Sequence, residues 1–265
     1  MEGAVTFPVD RTGNHVISVR RLWCAFPFAV VLIAPGSPLD RLQHQFRPAE
    51  TVSFRMSIET MEGSNRNRQD VALRLTVRTV EPHVAFDARQ TSNGVTTDAE
   101  ITFEPSSGLV RNAKGENLAE LSPLLIAYSP TLWGELPSAL ARDTSWTAES
   151  PAWSFGPSGR ETVSLTAYDA ATRTLKLTIA GSGSGPSRVE LDHPTALSVA
   201  TSVSGSTMRA RLVPLKTRWR ETIEIDDGLV SRARIDVERE YLVPPSSLVP
   251  EFHLTRRIVE TITRM

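Results

Sequence analysis

The chain of 265 residues has one cysteine, Cys24, so it can form neither an internal disulfide nor a zinc cage of cysteine thiolates. Aromatic residues make up only 6% of it. Neither sign of charge dominates, because 29 lysines and arginines oppose 30 aspartates and glutamates, for a net charge of -1. Without a basic excess to condense on phosphate backbones, we expect no nucleic-acid partner. Hydrophobic residues, at 40%, suffice for a folded core.

The main apolar run, residues 22–34, falls short of the ~20 residues that a membrane-spanning helix needs. Two arginines precede it, and two small residues, Ala34 at its end and Gly36 after it, have the spacing of a cleavage site, which is typical of an export signal. We therefore expect residues 1–36 to be a signal peptide or leader, and residues 37–265 to form a single antiparallel β domain. The protein would then be exported, and periplasmic or associated with the cell envelope. A retained N-terminal anchor, or a buried segment of a cytosolic domain, stays open as an alternative.

Apolar and polar residues alternate through most of the chain after residue 50, which predicts strands with one buried and one wet face. The pattern gives about eleven to thirteen strands. Asp226-Asp227-Gly228, between two such runs, predicts a tight hairpin. The alternating runs begin at Val52, Val71, Val84, Ala99, Val163, Leu175, Leu197, Met208, Trp219, Ala233 and Phe252.

Two stretches interrupt the alternation. Between residues 115 and 137, leucines that include Leu125, together with Tyr128, stand at helical spacing, which predicts one or two short helices in mid-chain. Residues 181–186 (GSGSGP) are predicted to be a flexible connection. They do not match the nucleophile elbow G-x-S-x-G, because Gly183 stands where that motif needs serine.

Consecutive hairpins with one apolar face need a cover for that face. The strands are long against the usual five or six residues, which favours one curved antiparallel sheet, a half-barrel or open barrel, over a two-sheet sandwich. The fold class is therefore predicted to be mainly β. The mid-chain helix would fill the concave side.

One short sequence segment supports a family resemblance. Residues 132–137 (LWGELP), followed by Asp143-Thr144-Ser145-Trp146, are similar to a Leu-Pro … Gly-Asp-Ser-Trp phrase of uncharacterised exported bacterial families. The fold of those families resembles that of the periplasmic lipoprotein-localisation carriers. Arg142 precedes Asp143 here, where a glycine turn is expected. The resemblance implies a concave apolar cavity that holds a lipid-like ligand, and it carries over no catalytic residue.

Aromatic residues crowd a proline-rich segment between residues 133 and 157. Because proline-rich loops usually lie at the surface, these rings are candidates to grip an acyl chain or stack on a sugar. Core packing is the alternative, since each ring buries a large apolar area. The candidate ligand-binding residues, which include two from the predicted helix, are Trp133, Trp146, Trp153, Phe155, Leu125 and Tyr128.

Other polar groups have simpler interpretations. No two of the histidines after the leader are spaced to chelate a metal locally, and we expect no metal and no cofactor. Asp192-His193-Pro194 and Asp226-Asp227 are interpreted as turns. Alternating arginines near residues 218–238 predict a solvated face with cross-strand ion pairs. An anionic-headgroup site is the alternative there, and the same two interpretations apply to Arg256-Arg257.

The sequence thus predicts a non-enzymatic exported protein that binds a lipid-like or other apolar molecule on the concave face of a curved sheet. An envelope structural or protein-interaction module that uses the Trp/Pro-rich loops to bind a protein partner is one alternative. An enzyme with a site assembled across strands is another, although no arrangement of acid, base and nucleophile is legible.

Overall fold

Strands make up most of the described part of the chain in the computed structural model, which covers residues 44–104, 109–115, 143–169, 171–203, 206–246 and 250–265. One short helix, α1 (Arg188–Asp192), and one 3₁₀ turn, η1 (Pro194–Ala196), lie within these ranges. The thirteen strands of the described residues are β1 (Thr51–Glu62), β2 (Asn65–Thr79), β3 (Val84–Ser92), β4 (Val95–Glu104), β5 (Leu109–Asn112), β6 (Ser145–Ser150), β7 (Gly159–Asp169), β8 (Thr174–Ser184), β9 (Ser198–Val203), β10 (Ser206–Arg211), β11 (Val213–Asp226), β12 (Leu229–Val243) and β13 (Phe252–Arg264).

Eleven of these strands form one antiparallel sheet in the order β5-β4-β3-β2-β1-β13-β12-β11-β8-β7-β6. The first and last strands, β1 and β13, pair at its centre and join an N-terminal meander to the C-terminal hairpins. Strands β9 and β10 form a separate hairpin between β8 and β11. Among the described strands β5 and β6 are the two edges and do not pair with each other, so the curved sheet stays open.

The period of two in the sequence divides the sheet into an inner, buried face and an outer, wet face. On β12, for example, the side chains of Ile235, Val237 and Tyr241 are buried, whereas those of Arg234 and Glu238 are exposed. Cross-strand ion pairs cover the outer face, as predicted for the arginine-rich hairpins. Arg257 of β13, for instance, donates to Asp236 of β12.

Bulges and a strap ahead of β1, residues 44–50, shape the sheet. Register shifts occur within the β2–β3, β7–β8 and β11–β12 pairs, and such bulges bend strands. Ahead of β1, His44 Nδ1 is 2.9 Å from the carbonyl oxygen of Asp227 in the β11–β12 turn. Two residues on, the ring of Phe46 packs edge-on against Phe86 and Phe103, at 5.2 and 6.1 Å between ring centroids. The strap thus connects two parts of the sheet that are far apart in strand order.

Three apolar clusters line the inner face along the strands. The largest lies at the strap end, where Phe54, Phe86, Phe103 and Leu165 are completely buried. The middle cluster is centred on Trp219. The third contains Tyr241 and Val243, with the side of the β9–β10 hairpin packed against it.

Most strand predictions are confirmed. The Asp226-Asp227-Gly228 hairpin joins β11 to β12, and the positive φ angles of Asp227 (51°) and Gly228 (73°) are those of the favoured tight turn. The prediction of a flexible connection at residues 181–186 is wrong, because residues 181–184 complete strand β8. The predicted mid-chain helices, with Leu125 and Tyr128, lie outside the described residues. No helix in the described part of the chain is both long and apolar enough to cross a membrane.

Candidate functional site

The inner face carries charged side chains in its middle and third clusters, at positions where the alternation places apolar residues elsewhere. Five strands contribute them: β1, β7, β11, β12 and β13. These residues fall into a carboxylate band and an arginine layer, which follow one another along the strands away from the strap. The two groups are Glu161, Glu221 and Glu260 in the first, and Glu62, Arg239 and Arg256 in the second.

Glu221 and Glu260 of the carboxylate band both pair with Ile235, from opposite sides of β12. Burial raises the pKa of Glu221 to about 8, and the nearby carboxylates of Glu161 and Glu260 add to the rise. Burial also raises the pKa of Glu161, which the hydrogen bond from Trp219 partly opposes. At neutral pH the band therefore carries less negative charge than three free glutamates.

Trp219 separates the carboxylate band from the arginine layer. Its indole Nε1 donates to Glu161 Oε2 at 3.2 Å, and Trp153 packs edge-on against it with 6.2 Å between ring centroids. The ring fits because Gly181 lies beside it on β8, where a Cβ atom would overlap the indole. Gly181 of the GSGSG stretch therefore leaves the space that the Trp219 ring occupies.

Arg239 and Glu190 form the centre of the arginine layer. Arg239 Nη2 is 2.7 Å from Glu190 Oε2, and both side chains are only 3% exposed. Glu190 also accepts from the backbone N–H of Ser187 at 2.9 Å and from the hydroxyl of Tyr241 at 2.7 Å. The Glu190 carboxylate thereby fixes helix α1 to strand β12.

Arg256 lies on the other side of Tyr241. Its Nε donates to Glu62 Oε2 at 2.7 Å. The guanidinium groups of Arg239 and Arg256 lie 5.2 and 5.1 Å from the centre of the Tyr241 ring, so both make cation–π contacts with it. Ion pairs and a shared ring thus hold the two guanidinium groups in place.

A cavity of about 370 Å³ opens beside this layer, within the size range of small-molecule sites. Phe155 and Ile258 come from the middle apolar cluster, and Val189 and Ala196 come from α1 and η1. The polar side is formed by Thr60, Glu62, Asn65, Arg66, Asn67, Ser154, Ser187, Glu190, Arg239, Tyr241 and Arg256. The lining of the cavity therefore combines apolar and charged side chains.

One donor in this layer has no acceptor. Nε of Arg239 is buried and makes no hydrogen bond, and it is the one such side-chain atom found among the described residues. Buried polar atoms are almost always hydrogen-bonded, and an unpaired charged donor is costly. The Glu190 carboxylate accepts from three other donors and not from this Nε.

The aromatic residues predicted to bind a ligand have different positions. Phe155 lines the cavity, and Trp153 supports it at 5.9 Å between ring centroids. Trp146 lies in the strap-end cluster, 8% exposed, and does not line the cavity. Trp133, Leu125 and Tyr128 lie outside the described residues.

The arginine layer was not singled out as a site from the sequence, apart from Arg256 as one half of an arginine pair. The available signal was a break in the alternation of apolar and polar residues along a strand. On β12 the inward series Ala233, Ile235, Val237 is continued by Arg239, a charge where the pattern calls for an apolar residue. Glu190 gave no such signal, because helix α1 was not predicted.

In the part of the chain that the structure describes, no group of three or more histidines, cysteines, aspartates or glutamates is arranged to hold a metal ion. His193 and Asp192 are both exposed, at the end of α1, where Asp192 accepts from Arg188.

Comparisons with known proteins give a distant structural likeness. No family model matches the chain, and no curated protein matches it. A solved chain described as "lipid-protein interactions in lipovitellin" is similar over 83% of this chain, with a TM-score of 0.43 and 8% sequence identity. The match covers 25% of that chain, so this protein spans about a quarter of its neighbour's length.

Proposed function

We propose that this protein binds a lipid-like, amphipathic molecule at the inner face of its curved sheet. The cavity between the middle and third apolar clusters carries the proposal. Its lining combines the apolar side chains of Phe155 and Ile258 with the guanidinium groups of Arg239 and Arg256. A molecule with an apolar chain and a polar head complements such a space, because each of its ends meets a surface of its own kind.

The proposed role is binding or carriage and not catalysis. The charged groups that line the cavity are engaged in ion pairs and in the contacts with Tyr241, which suits positioning of a ligand. Within this proposal, the strap-end cluster serves as a filled, rigid base. The ligand then occupies the opposite part of the inner face.

The proposed location is outside the cytoplasm, in the periplasm or at the cell envelope. The support comes from the sequence, where arginines precede the apolar run at 22–34 and the small residues of a cleavage site lie at its end. N-terminal sequencing of the protein recovered from its native host tests this point. A first residue near Ser37 supports export with cleavage, whereas an intact Met1 in the cytoplasmic fraction contradicts it.

Extraction of the purified full chain with organic solvent, followed by mass spectrometry, tests the binding role. We expect stoichiometric lipid from the native protein and a large loss from an Ala196→Phe variant, because the added ring fills the cavity. Thr195→Phe is the matched control, since Thr195 is exposed next to Ala196 and does not line the cavity. Equal lipid in both variants, or none in the native protein even after incubation with lipid, contradicts the proposal.

A further inference from the structure

We propose that the head of the bound molecule is an anionic oxygen group that accepts a hydrogen bond from Nε of Arg239. This inference rests on the proposed function and goes beyond it, since it names the chemistry of the ligand's head. The shared chemistry is a negatively charged oxygen on an apolar chain. A carboxylate and a phosphate ester are its two sources.

The unpaired Nε is the first observation that supports this inference. Arg239 is 2% exposed and is one of the residues that line the cavity, and its Nε is buried without an acceptor. A guanidinium donor forms its strongest hydrogen bonds with ionised oxygen acceptors. A ligand that supplies such an oxygen would remove the penalty of the unpaired group.

The fixed position of the donor is the second observation. Glu190 and the carbonyl oxygen of Gly185, 3.2 Å from Nη2, hold one end of the Arg239 guanidinium, and the ring of Tyr241 supports its face. Little side-chain freedom is left to lose when a ligand binds, which favours affinity and selectivity. Arg256, held by Glu62, brings a second positive group to the same ring.

The charge of the lining points in the same direction. Three arginines and two glutamates line the cavity, the third arginine being Arg66 at the edge, where it also pairs with Glu59 of β1. Neutral donors accompany them: the amides of Asn65 and Asn67 and the hydroxyls of Thr60 and Ser154. A single negative charge on the ligand is thus compatible with the site, whereas a cationic head would meet the guanidinium groups of Arg239 and Arg256.

Titration of the full chain with three probes of one chain length tests the inference: palmitate, hexadecyl phosphate and hexadecanol, each below its aggregation concentration. We expect at least one of the two anions to bind about tenfold more tightly than the alcohol, as a charge-assisted hydrogen bond would give. If only palmitate binds tightly, the head of the ligand is a carboxylate. If only hexadecyl phosphate binds tightly, the head is a phosphate ester. Equal affinity for all three overturns the inference and leaves the proposed function standing. Binding of none of them overturns both.

Arg239→Lys isolates the donor, because lysine keeps the charge beside Glu190 and lacks Nε. We expect the preference for anions to fall to within about threefold of the alcohol. Arg234→Lys, on the exposed side of the same strand, is the matched control and should keep the native preference. An unchanged preference in a folded Arg239→Lys protein contradicts the inference.

Nuclear magnetic resonance of the native chain supplies a readout that survives a failure of that variant to fold. The Arg239 side-chain Nε–H should give a slowly exchanging signal, because the atom is buried. Addition of the tighter-binding anion should shift this signal, and addition of hexadecanol should shift it much less. No shift at saturation by the anion would contradict the assignment of the donor.

Discussion

Arg239 of β12 and Glu190 of α1 form a salt bridge of 2.7 Å that is almost completely shielded from water. The pair connects the sheet to the short helix whose side chains complete the cavity. Taking one partner away leaves the other charge buried without compensation, which is more damaging than the loss of an exposed pair.

Substitution of Glu190 by glutamine should therefore destabilise the fold by about 3 kcal/mol. Urea denaturation followed by circular dichroism measures the change in the free energy of unfolding. Asp192→Asn on the same helix is the control, because its ion pair with Arg188 is exposed and should contribute less than about 0.5 kcal/mol. Equal losses in the two variants would show that the buried pair has no special role.

The carboxylate band makes stability depend on pH. The folded-state pKa of Glu221, about 8, lies above its ordinary value of 4.5, so the fold favours the protonated form. The contribution of this group is fully present below about pH 4.5, and it is lost as the pH rises through about 8. We expect the native protein to become less stable between pH 5 and pH 9.

Glu221→Gln should remove part of this loss, because glutamine cannot ionise. The free energy of unfolding of the variant should exceed that of the native protein by about 2 kcal/mol at pH 9 and differ little from it at pH 5. The expected difference at pH 9 is reduced because the side chain is partly accessible to solvent. Thermal unfolding across this range provides the measurement. Glu224→Gln, on the outer face of the same strand, should show no gain at high pH, since Lys176 lowers the pKa of Glu224. Parallel curves for native and Glu221→Gln proteins would refute the effect.

Gly181 should tolerate no side chain. An added methyl group meets the indole of Trp219, so Gly181→Ala should destabilise the fold by about 2 kcal/mol. Ser182→Ala changes the next residue, which is exposed on the outer face, and should change stability by less than about 0.5 kcal/mol. Guanidinium unfolding curves compare the two. A neutral Gly181→Ala would mean that the ring does not lie against β8.

The N-terminal strap should stabilise the strands it touches. Phe46→Ala removes the contacts with Phe86 and Phe103 and should destabilise the fold by about 3 kcal/mol. The neighbouring Arg47→Ala, at an exposed side chain, serves as the control. Amide hydrogen exchange in β3 and β4 should be faster in the Phe46→Ala variant than in the native protein. Unchanged protection in these strands would contradict a stabilising role of the strap.

The main features of the fold could be predicted from the sequence, because the period of two records the burial of a strand directly. The runs that begin at Val52 and Phe252 are observed as β1 and β13. Their pairing at the centre of the sheet has no local signature, since it joins residues about two hundred positions apart in the chain. Helix α1 was missed because it has only five residues and its glutamate is held by distant partners.

The site was harder to predict than the fold. Aromatic content pointed to Phe155, which lines the cavity, and also to Trp146, which lies in the core. The charged residues of the inner face were hidden in the same alternation that revealed the strands. A charged residue at an inward position of the alternation indicates buried charge. Such residues are Arg239, Glu221 and Glu260. Their partners could be identified only from the register of the sheet.

Quenching of tryptophan fluorescence by a fatty acid brominated in mid-chain tests the central claim most directly, because bromine quenches only tryptophan rings that lie close to it. Trp153 packs against Phe155 at the cavity wall, so the brominated chain should quench the native protein and quench a Trp153→Phe variant less. The same fatty acid without bromine should leave the fluorescence nearly unchanged in both. Equal fluorescence with the brominated and unbrominated chains at the highest soluble concentration would contradict a lipid-like ligand on the inner face.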